Sequence, residues 1–196
     1  ATLTIKSSRA GLRRLEFEAD QADDGDFFSV IGGSPGYDDQ YWQVSGGRHN
    51  VWKATAFLNE TPAYFTSNFR SLWSGAGTDY LSLLNMTPGG LATAAATQAA
   101  LRTELAGTAD STLSLTRTKY GARFDFTLSN KWKAYASYSN EEREGSRPYA
   151  MVFGGAGGGG NIEIPESIDY DTMDVLAGIQ YVDPLNALNL QLSASM

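Results

Sequence analysis

The chain has 196 residues, a formal net charge of −7 and no cysteine, and its length suits one domain of ordinary size. The acidic balance argues against nucleic acid as a partner, because phosphate binding needs a basic surface. The lack of cysteine excludes disulfides, thiolate metal sites, a cysteine nucleophile and covalent c-type haem on this chain, and no apolar run approaches the ~18 residues of a membrane helix, so a membrane role would have to use strands.

Alternation of apolar and polar residues begins with the first residues and predicts strands with two different faces. Because no leader precedes this pattern, we expect Ala1 to be a mature N-terminus or an internal cut. Alternating runs at 15–20 and 28–32, joined by an acidic turn at 23–26, predict the first clear hairpin. Its carboxylates and those at 38–39 could chelate Ca²⁺, although their spacing is not that of an EF-hand. The alternative is a solvated acidic loop.

A second hairpin is predicted from the alternating runs 42–46 and 52–58, which are joined by the turn 47–50. His49 lies in this turn and is the only histidine of the chain. We expect it to be a polar turn residue, since the glycine and asparagine around it favour turns. The alternatives are ligation of a haem from outside and a Ser-His-Asp triad, although the sequence has no Gly-x-Ser-x-Gly elbow.

The region 60–110 interrupts the hairpins and is predicted to be a long connection. It contains one helix candidate, with Thr87 as the N-cap, Pro88 as the first residue and Gly107 as the C-terminal stop. A compact soluble domain seldom has connections of this length without structure of their own. Long connections on one side and tight turns on the other are typical of outer-membrane barrels.

The clearest hairpin runs from Tyr120 through a tight turn at 129–131 to Tyr138. Only a register with Leu128 opposite Trp132 keeps both apolar sets on one side. The stretch from Tyr120 to Leu128 matches the ~9–11 residues of a tilted membrane strand, and aromatic residues stand at its ends, as in the girdles of barrels. The residues expected to face lipid are Phe124, Phe126, Trp132 and Tyr138, and those expected to face the lumen are Arg123, Asp125 and Lys133.

A second long connection is predicted at 143–168. Its charged segment, which contains Arg143 and Arg147, could grip a partner protein or an anionic lipid headgroup. The alternative is an ion-paired strand end. The glycine run 154–160 lacks the strand and helix context of a phosphate-binding loop, so a flexible loop is expected there.

The last hairpin pairs 173–181 with 188–194 around Asp183 and Pro184, and Gln180 belongs to its polar face. Repeated hairpins with one charge-free face predict an all-β domain over 1–196. We expect it to be an antiparallel transmembrane β-barrel segment with long loops, one short helix and no catalytic or metal site. The alternative fold is a soluble β-sandwich whose core holds the apolar face.

Five stretches in order, between about residues 27 and 182, carry a family resemblance. They are Tyr-Asp-Asp-Gln at 37–40 leading to Ser-Gly-Gly-Arg at 45–48, Asn-Glu-Thr-Pro at 59–62, Phe-Arg-Ser-Leu-Trp-Ser-Gly-Ala-Gly at 69–77, Glu-Glu-Arg-Glu-Gly-Ser-Arg-Pro at 141–148, and Ile-Glu-Ile-Pro-Glu-Ser-Ile-Asp-Tyr at 162–170. With these stretches the chain resembles the MtrB/PioB-type family of decaheme-associated outer-membrane β-barrel proteins.

The resemblance implies a non-enzymatic barrel in a Gram-negative outer membrane that sheathes a multihaem c-type cytochrome and lets electrons pass between periplasm and exterior. The haem then belongs to the partner and not to this chain, which agrees with the absence of cysteine. The implied partners are a periplasmic-side cytochrome in the lumen, outer-membrane lipid and, as an additional candidate, an extracellular cytochrome. The candidate lumen or partner contacts are Arg123, Asp125, Lys133, Gln180, Arg143 and Arg147.

Three features depart from the family pattern. The chain offers about nine or ten membrane strands, and a barrel of ~8 strands has an interior just filled by side chains, too narrow for a cytochrome. It ends on Met196 without the usual terminal aromatic residue, and it lacks the Cys-x-x-Cys of some members. We therefore expect part of a longer protein. The functional alternatives are a general porin or solute channel, and a soluble sandwich that binds a partner.

Overall fold

The architecture comes from a computed structural model, which describes residues 2–8, 11–21, 25–75, 78, 80–83, 94–153 and 160–196. In chain order the elements are β1 (Thr2–Ser8), β2 (Gly11–Gln21), β3 (Asp26–Gly33), β4 (Tyr41–Arg48), β5 (Trp52–Phe69), β6 (Trp73–Ser74), β7 (Ser82–Leu83), α1 (Ala94–Gly107), β8 (Ser111–Thr127), β9 (Trp132–Phe153), β10 (Gly160–Asp183) and β11 (Asn186–Ser195). No helix in these ranges is long and apolar enough to cross a membrane.

Nine strands form one sheet in the order β1-β2-β3-β4-β5-β8-β9-β10-β11, and β6 pairs with β7 separately. Neighbours in the large sheet follow one another along the chain, as expected of a meander of hairpins, except that β6, β7 and α1 lie between β5 and β8. Within the described ranges, β1 and β11 do not pair with each other, so the sheet is open. The predicted all-β fold class is confirmed.

The pairing of strands keeps the apolar sets of the other predicted hairpins on one side of the sheet. Phe17 lies opposite Val30 in the first hairpin, and Val44 lies opposite Ala56 in the second. At the other end of the sheet, Ile179 lies opposite Leu190. A slip of one residue would move each apolar set to the polar face, and this penalty fixes the register.

The hairpin of β8 and β9 has the predicted tight turn and the predicted alignment. The Leu128 N–H donates to the Trp132 carbonyl at 3.0 Å. Higher up, the Asn140 amide donates to the Tyr120 hydroxyl at 3.1 Å. Both contacts join residues that face each other when Leu128 stands opposite Trp132, so the register holds along the hairpin.

The chain forms two compact units. Unit 1 comprises 1–61, 117–142 and 170–196, and unit 2 comprises 62–116 and 143–169. In unit 1, β5, β8 and β9 contribute stretches of the length that a tilted strand needs to cross a bilayer. These three strands and β10 continue into unit 2, so each exceeds that length.

The two predicted long connections are wrong in extent. Strand continues to Phe69 on one side and starts again at Ser111 on the other, and the second connection narrows to 154–159 between β9 and β10. Alternation reveals a strand only where its two faces meet different surroundings. The unit 2 parts of β5 and β9 show no sustained alternation in the sequence, so their strand structure was not predicted.

The helix prediction is confirmed at its end, since α1 finishes at Gly107. The proposed cap and first residue, Thr87 and Pro88, lie outside the described residues. The same holds for Asp23 and Asp24 of the acidic turn and for most of the glycine run, 154–159. Among the described side chains no cluster of three or more His, Cys, Asp or Glu could hold a metal ion.

Burial differs sharply between the two units. Among the described side chains, the buried hydrophobic residues are Leu113 and Ile168, and both belong to unit 2. In the described part of unit 1 no hydrophobic side chain is buried, and its apolar face stays open. A sandwich must cover that face with a second sheet, so the alternative of a soluble sandwich is wrong.

Candidate functional site: the two faces of unit 1

One face of unit 1 carries exposed aromatic and aliphatic side chains. Phe124 is 45% exposed and stacks between Trp52 and Phe126, with ring centroids 6.1 and 6.2 Å away. Near the turn of the same hairpin, the Trp132 ring lies 4.8 Å from that of Tyr181. Further exposed members of this apolar face are Phe28, Val44, Leu128, Tyr138, Val175, Leu188, Leu190 and Leu192.

Polar pairs close the apolar face at the end with the short turns. Arg48 forms a bidentate ion pair with Asp26 on the neighbouring strand, at 2.7 and 3.0 Å. The Lys131 ammonium donates a hydrogen bond to the Asp183 carboxylate at 2.8 Å, and this carboxylate also accepts a hydrogen bond from the Tyr181 hydroxyl at 3.0 Å. The apolar face therefore ends at charged residues next to the short turns.

Polar groups also close the apolar face at the opposite end. The Gln40 amide donates to Glu60 at 2.9 Å. On β8 and β9, the Tyr120 hydroxyl donates to Glu142 at 3.2 Å and accepts from the buried amide of Asn140. The apolar face is thus a band with polar residues at both margins.

The height of this band fits a membrane. From Gln40 to Arg48 the backbone rises about 27 Å at ~3.4 Å per residue, and from Lys131 to Asn140 it rises about 31 Å. A strand tilt of ~40° reduces these rises to about 21 and 23 Å, close to the ~25 Å apolar band of outer-membrane barrels.

The other face of unit 1 is polar and hydrogen-bonded. The Arg123 guanidinium donates two hydrogen bonds to the Asp125 carboxylate, at 2.7 and 2.8 Å. It also lies 5.2 Å from the centroid of the Tyr135 ring. The Tyr135 hydroxyl in turn lies 3.2 Å from the amide oxygens of Asn189 and Gln191. These contacts link the polar face across β8, β9 and β11.

Aromatic rings on the polar face lie against glycines of the neighbouring strand. A Cβ built on any of four glycines would meet such a ring at 3.0 Å or less, so only glycine lets the ring lie there. The pairs are Tyr41 on Gly33, Phe27 on Gly47, Phe57 on Gly121 and Tyr135 on Gly178. Because the rings lie over glycines, the polar wall is flatter than its aromatic content suggests.

A protein-family model described as "Putative outer membrane beta-barrel porin, MtrB/PioB" matches residues 6–196. The chain belongs to the MtrB/PioB family. It is an outer-membrane β-barrel protein, as the two-faced sheet and the height of the apolar band indicate independently. The family is described as one of porins, not of enzymes. No curated protein matches the chain.

In this MtrB/PioB member the predicted site residues fall into two groups. Arg123, Asp125 and Lys133 share the polar face of unit 1, and Gln180 lies opposite Asn189 on the same face. The residues predicted to face lipid, which are Phe124, Phe126, Trp132 and Tyr138, are all exposed on the apolar face.

Arg143 and Arg147 belong to unit 2. Arg147 pairs with Glu166 at 2.6 Å, and Ser146 beside it is buried. Arg147 of strand β9 is thus ion-paired, whereas contact of this segment with a partner or a lipid headgroup stays a prediction. His49 is a turn residue, as predicted, and stacks on Phe27 with ring centroids 4.9 Å apart.

The sequence did not reveal three cations of the polar face, which are Lys53, Arg117 and Lys119. It also did not reveal that Tyr135 contacts Arg123, Asn189 and Gln191. Lys53, Lys119 and Tyr135 sit at polar-parity positions beside residues that were used to define the apolar face, and Arg117 continues the same parity along β8. The available signal was the charge of the polar parity summed over neighbouring strands.

Proposed function

We propose that this chain forms part of the wall of an outer-membrane barrel that sheathes a multihaem c-type cytochrome. The cytochrome would carry electrons between the periplasm and the exterior, and the barrel would hold it in the membrane. The observation that carries the proposal is the polar face of unit 1, a flat, hydrogen-bonded wall that can lie against a large occupant.

The polarity of each face of the sheet indicates its surroundings in a membrane. Outer-membrane barrels turn an apolar band to lipid and a polar surface to the lumen. On that basis Phe124 and Trp132 face lipid, whereas Arg123, Asp125 and Gln180 line the lumen. Short turns belong to the periplasmic side of such barrels, so the turn at 128–131 is periplasmic.

A barrel that sheathes a cytochrome needs a wide lumen. Barrels of ~8 strands fill their interior with their own side chains. Here nine strands leave the sheet open in the described ranges, and the rings of Tyr41 and Tyr135 lie over glycines on the wall. Both features support a wide lumen with room for an occupant.

The chemistry of the chain fits a sheath better than a carrier of electrons. It has no cysteine for covalent haem attachment and one histidine, which lies in a turn. We therefore assign the haem to the partner cytochrome and no cofactor to this chain. The wall would contribute a low-dielectric exterior toward lipid and many weak polar contacts toward the occupant, with an extracellular cytochrome as an additional partner at the outer end.

The test begins with the full-length protein purified from outer membranes in mild detergent. Haem staining of the co-purifying proteins should reveal a multihaem cytochrome, and proteoliposomes with the complex should reduce or oxidise an acceptor on the far side of the membrane. Single substitutions at Arg123, Asp125, Lys133 or Gln180 should leave retention nearly intact, because contacts spread over an interface lose little from one rim charge.

The second candidate is a porin or solute channel, which the family description favours. A polar wall serves small solutes as well as it serves a protein. Free passage of small sugars through proteoliposomes of the purified protein, with no haem protein bound, would support the channel and contradict the sheath.

A further inference from the structure

The polar face of unit 1 has an excess of positive charge on three adjacent strands. On β5, β8 and β9 its residues include five cations and two carboxylates, a net charge of +3, in a chain whose formal net charge is −7. We call this set the basic stripe. It comprises Lys53, Arg117, Lys119, Arg123, Asp125, Lys133 and Glu141.

Both carboxylates of the basic stripe are already engaged. Glu141 accepts from the Arg117 guanidinium at 2.5 Å and lies 3.6 Å from the Lys119 ammonium. Asp125 is held by both donors of the Arg123 fork. These ion pairs involve three of the five cations, Arg117, Lys119 and Arg123. The other two, Lys53 and Lys133, lie at the end of the strands with the short turns.

These two lysines flank Asp125 in a recess of about 400 Å³. Lys53 and Lys133 line it together with Thr127 and Phe27. The Thr127 N–H donates to the Val51 carbonyl at 2.7 Å, which brings the start of β5 beside the end of β8. In the part of the chain that the structure describes, neither lysine has a carboxylate within 4 Å.

An occupant of the lumen would cover this recess and remove water from it. Unpaired cations that lose water are strongly destabilised unless the covering surface supplies opposite charge. Carboxylates provide that charge and can accept hydrogen bonds from both ammonium groups. The recess therefore selects for an acidic surface opposite it.

We propose that Lys53 and Lys133 form a docking site for a carboxylate-bearing surface of the cytochrome in the lumen, at the periplasmic end of the barrel. This inference rests on the proposed function and deepens it, because it names the chemistry and the height at which the partner is held. A small anion that passes through an open channel is the competing occupant, and the experiment separates the two.

The experiment uses the full-length protein with its co-purifying haem protein and measures retained haem against NaCl concentration. Lys53→Glu/Lys133→Glu should lower retention about tenfold at low salt, since repulsion replaces attraction across a partly desolvated contact. The difference should shrink at 1 M salt, where the Debye length is about 3 Å. Lys53→Gln/Lys133→Gln should give an intermediate loss and provides the same test if the reversed pair fails to fold.

The matched control is Arg102→Glu on the helix, which makes the same charge change as Lys53→Glu alone and lies outside the recess. Retention in the control should stay within about twofold of the wild type at each salt concentration. Equal retention in the control and in both lysine variants would overturn the docking site while the sheath stands. If the wild type holds no haem protein and conducts with an anion preference that the reversed pair inverts, both the docking site and the sheath are wrong.

Discussion

Placing a charge in the middle of the apolar band is the sharpest test of which face meets lipid. Phe124 stands at the centre of the stretch from Tyr120 to Leu128, with its ring between those of Trp52 and Phe126. It is a better probe than Phe126, which lies nearer the turn and therefore nearer water. The substitution is Phe124→Arg.

The expected loss in the free energy of folding follows from the depth of Phe124 within the apolar band. The stretch from Tyr120 to Leu128 rises about 27 Å along the strand and about 21 Å along the membrane normal at a tilt of ~40°, so Phe124 lies about 10 Å from either margin. An arginine at the bilayer midplane costs about 2–4 kcal/mol. Loss of the two ring contacts adds about 0.5–1.5 kcal/mol, and Phe124→Leu measures that part alone.

The control is Gln43→Arg, an exposed position on the polar face of β4 that lies opposite Ile31 and Phe57 and, like Phe124, five residues from its turn. It adds the same cation where water or a polar occupant can solvate it, so the free energy of folding should change by less than about 0.5 kcal/mol. Heat-modifiable mobility of the barrel and urea titration in lipid vesicles give the two free energies. Equal losses for Phe124→Arg and Gln43→Arg would refute the assignment of the faces.

Three further predictions concern packing, pH and the sheet edges. Gly178→Ala should lower stability by about 1–3 kcal/mol in a urea titration, because the new Cβ meets the Tyr135 ring, whereas Gly46→Ala on the apolar face makes only an ordinary 3.5 Å contact and should be nearly neutral. In unit 2, outside the membrane-spanning strands, the Arg70 hydrogen bond at 2.6 Å lowers the pKa of Asp110 below 3.8. The ion pair therefore contributes its full stability above pH 3.8 and loses it as the pH falls through the lowered pKa. Protease cleavage after α1 should then increase in acid for the wild type. A cleavage rate that does not change with pH and equals that of Asp110→Asn would contradict this account. Finally, since β1 and β11 present unpaired edges in the described ranges, the 196-residue chain purified alone should self-associate, and a monodisperse, protease-resistant monomer in light scattering would count against the open sheet.

The sequence by itself determined the strands of unit 1 and their two faces. Residues such as Phe124 and Trp132 alternate with Arg123 and Lys133, and this period of two indicates that the two faces of the sheet meet different surroundings. The short turn at 129–131 then left one register that keeps the apolar sets together. The end of the helix at Gly107 was also readable, because a local conformational preference sets it.

Only the tertiary structure decided where contacts form between side chains distant in the chain. The continuation of β5 to Phe69 and of β9 to Phe153 was not predicted, because the residues of these two strands in unit 2 do not alternate between apolar and polar. The pairing of Asp125 with Arg123, which leaves Lys53 and Lys133 without a carboxylate in the described part of the chain, depends on side-chain reach across three strands. Periodicity reports the medium around a residue, whereas ion pairs depend on distances that only the folded sheet sets.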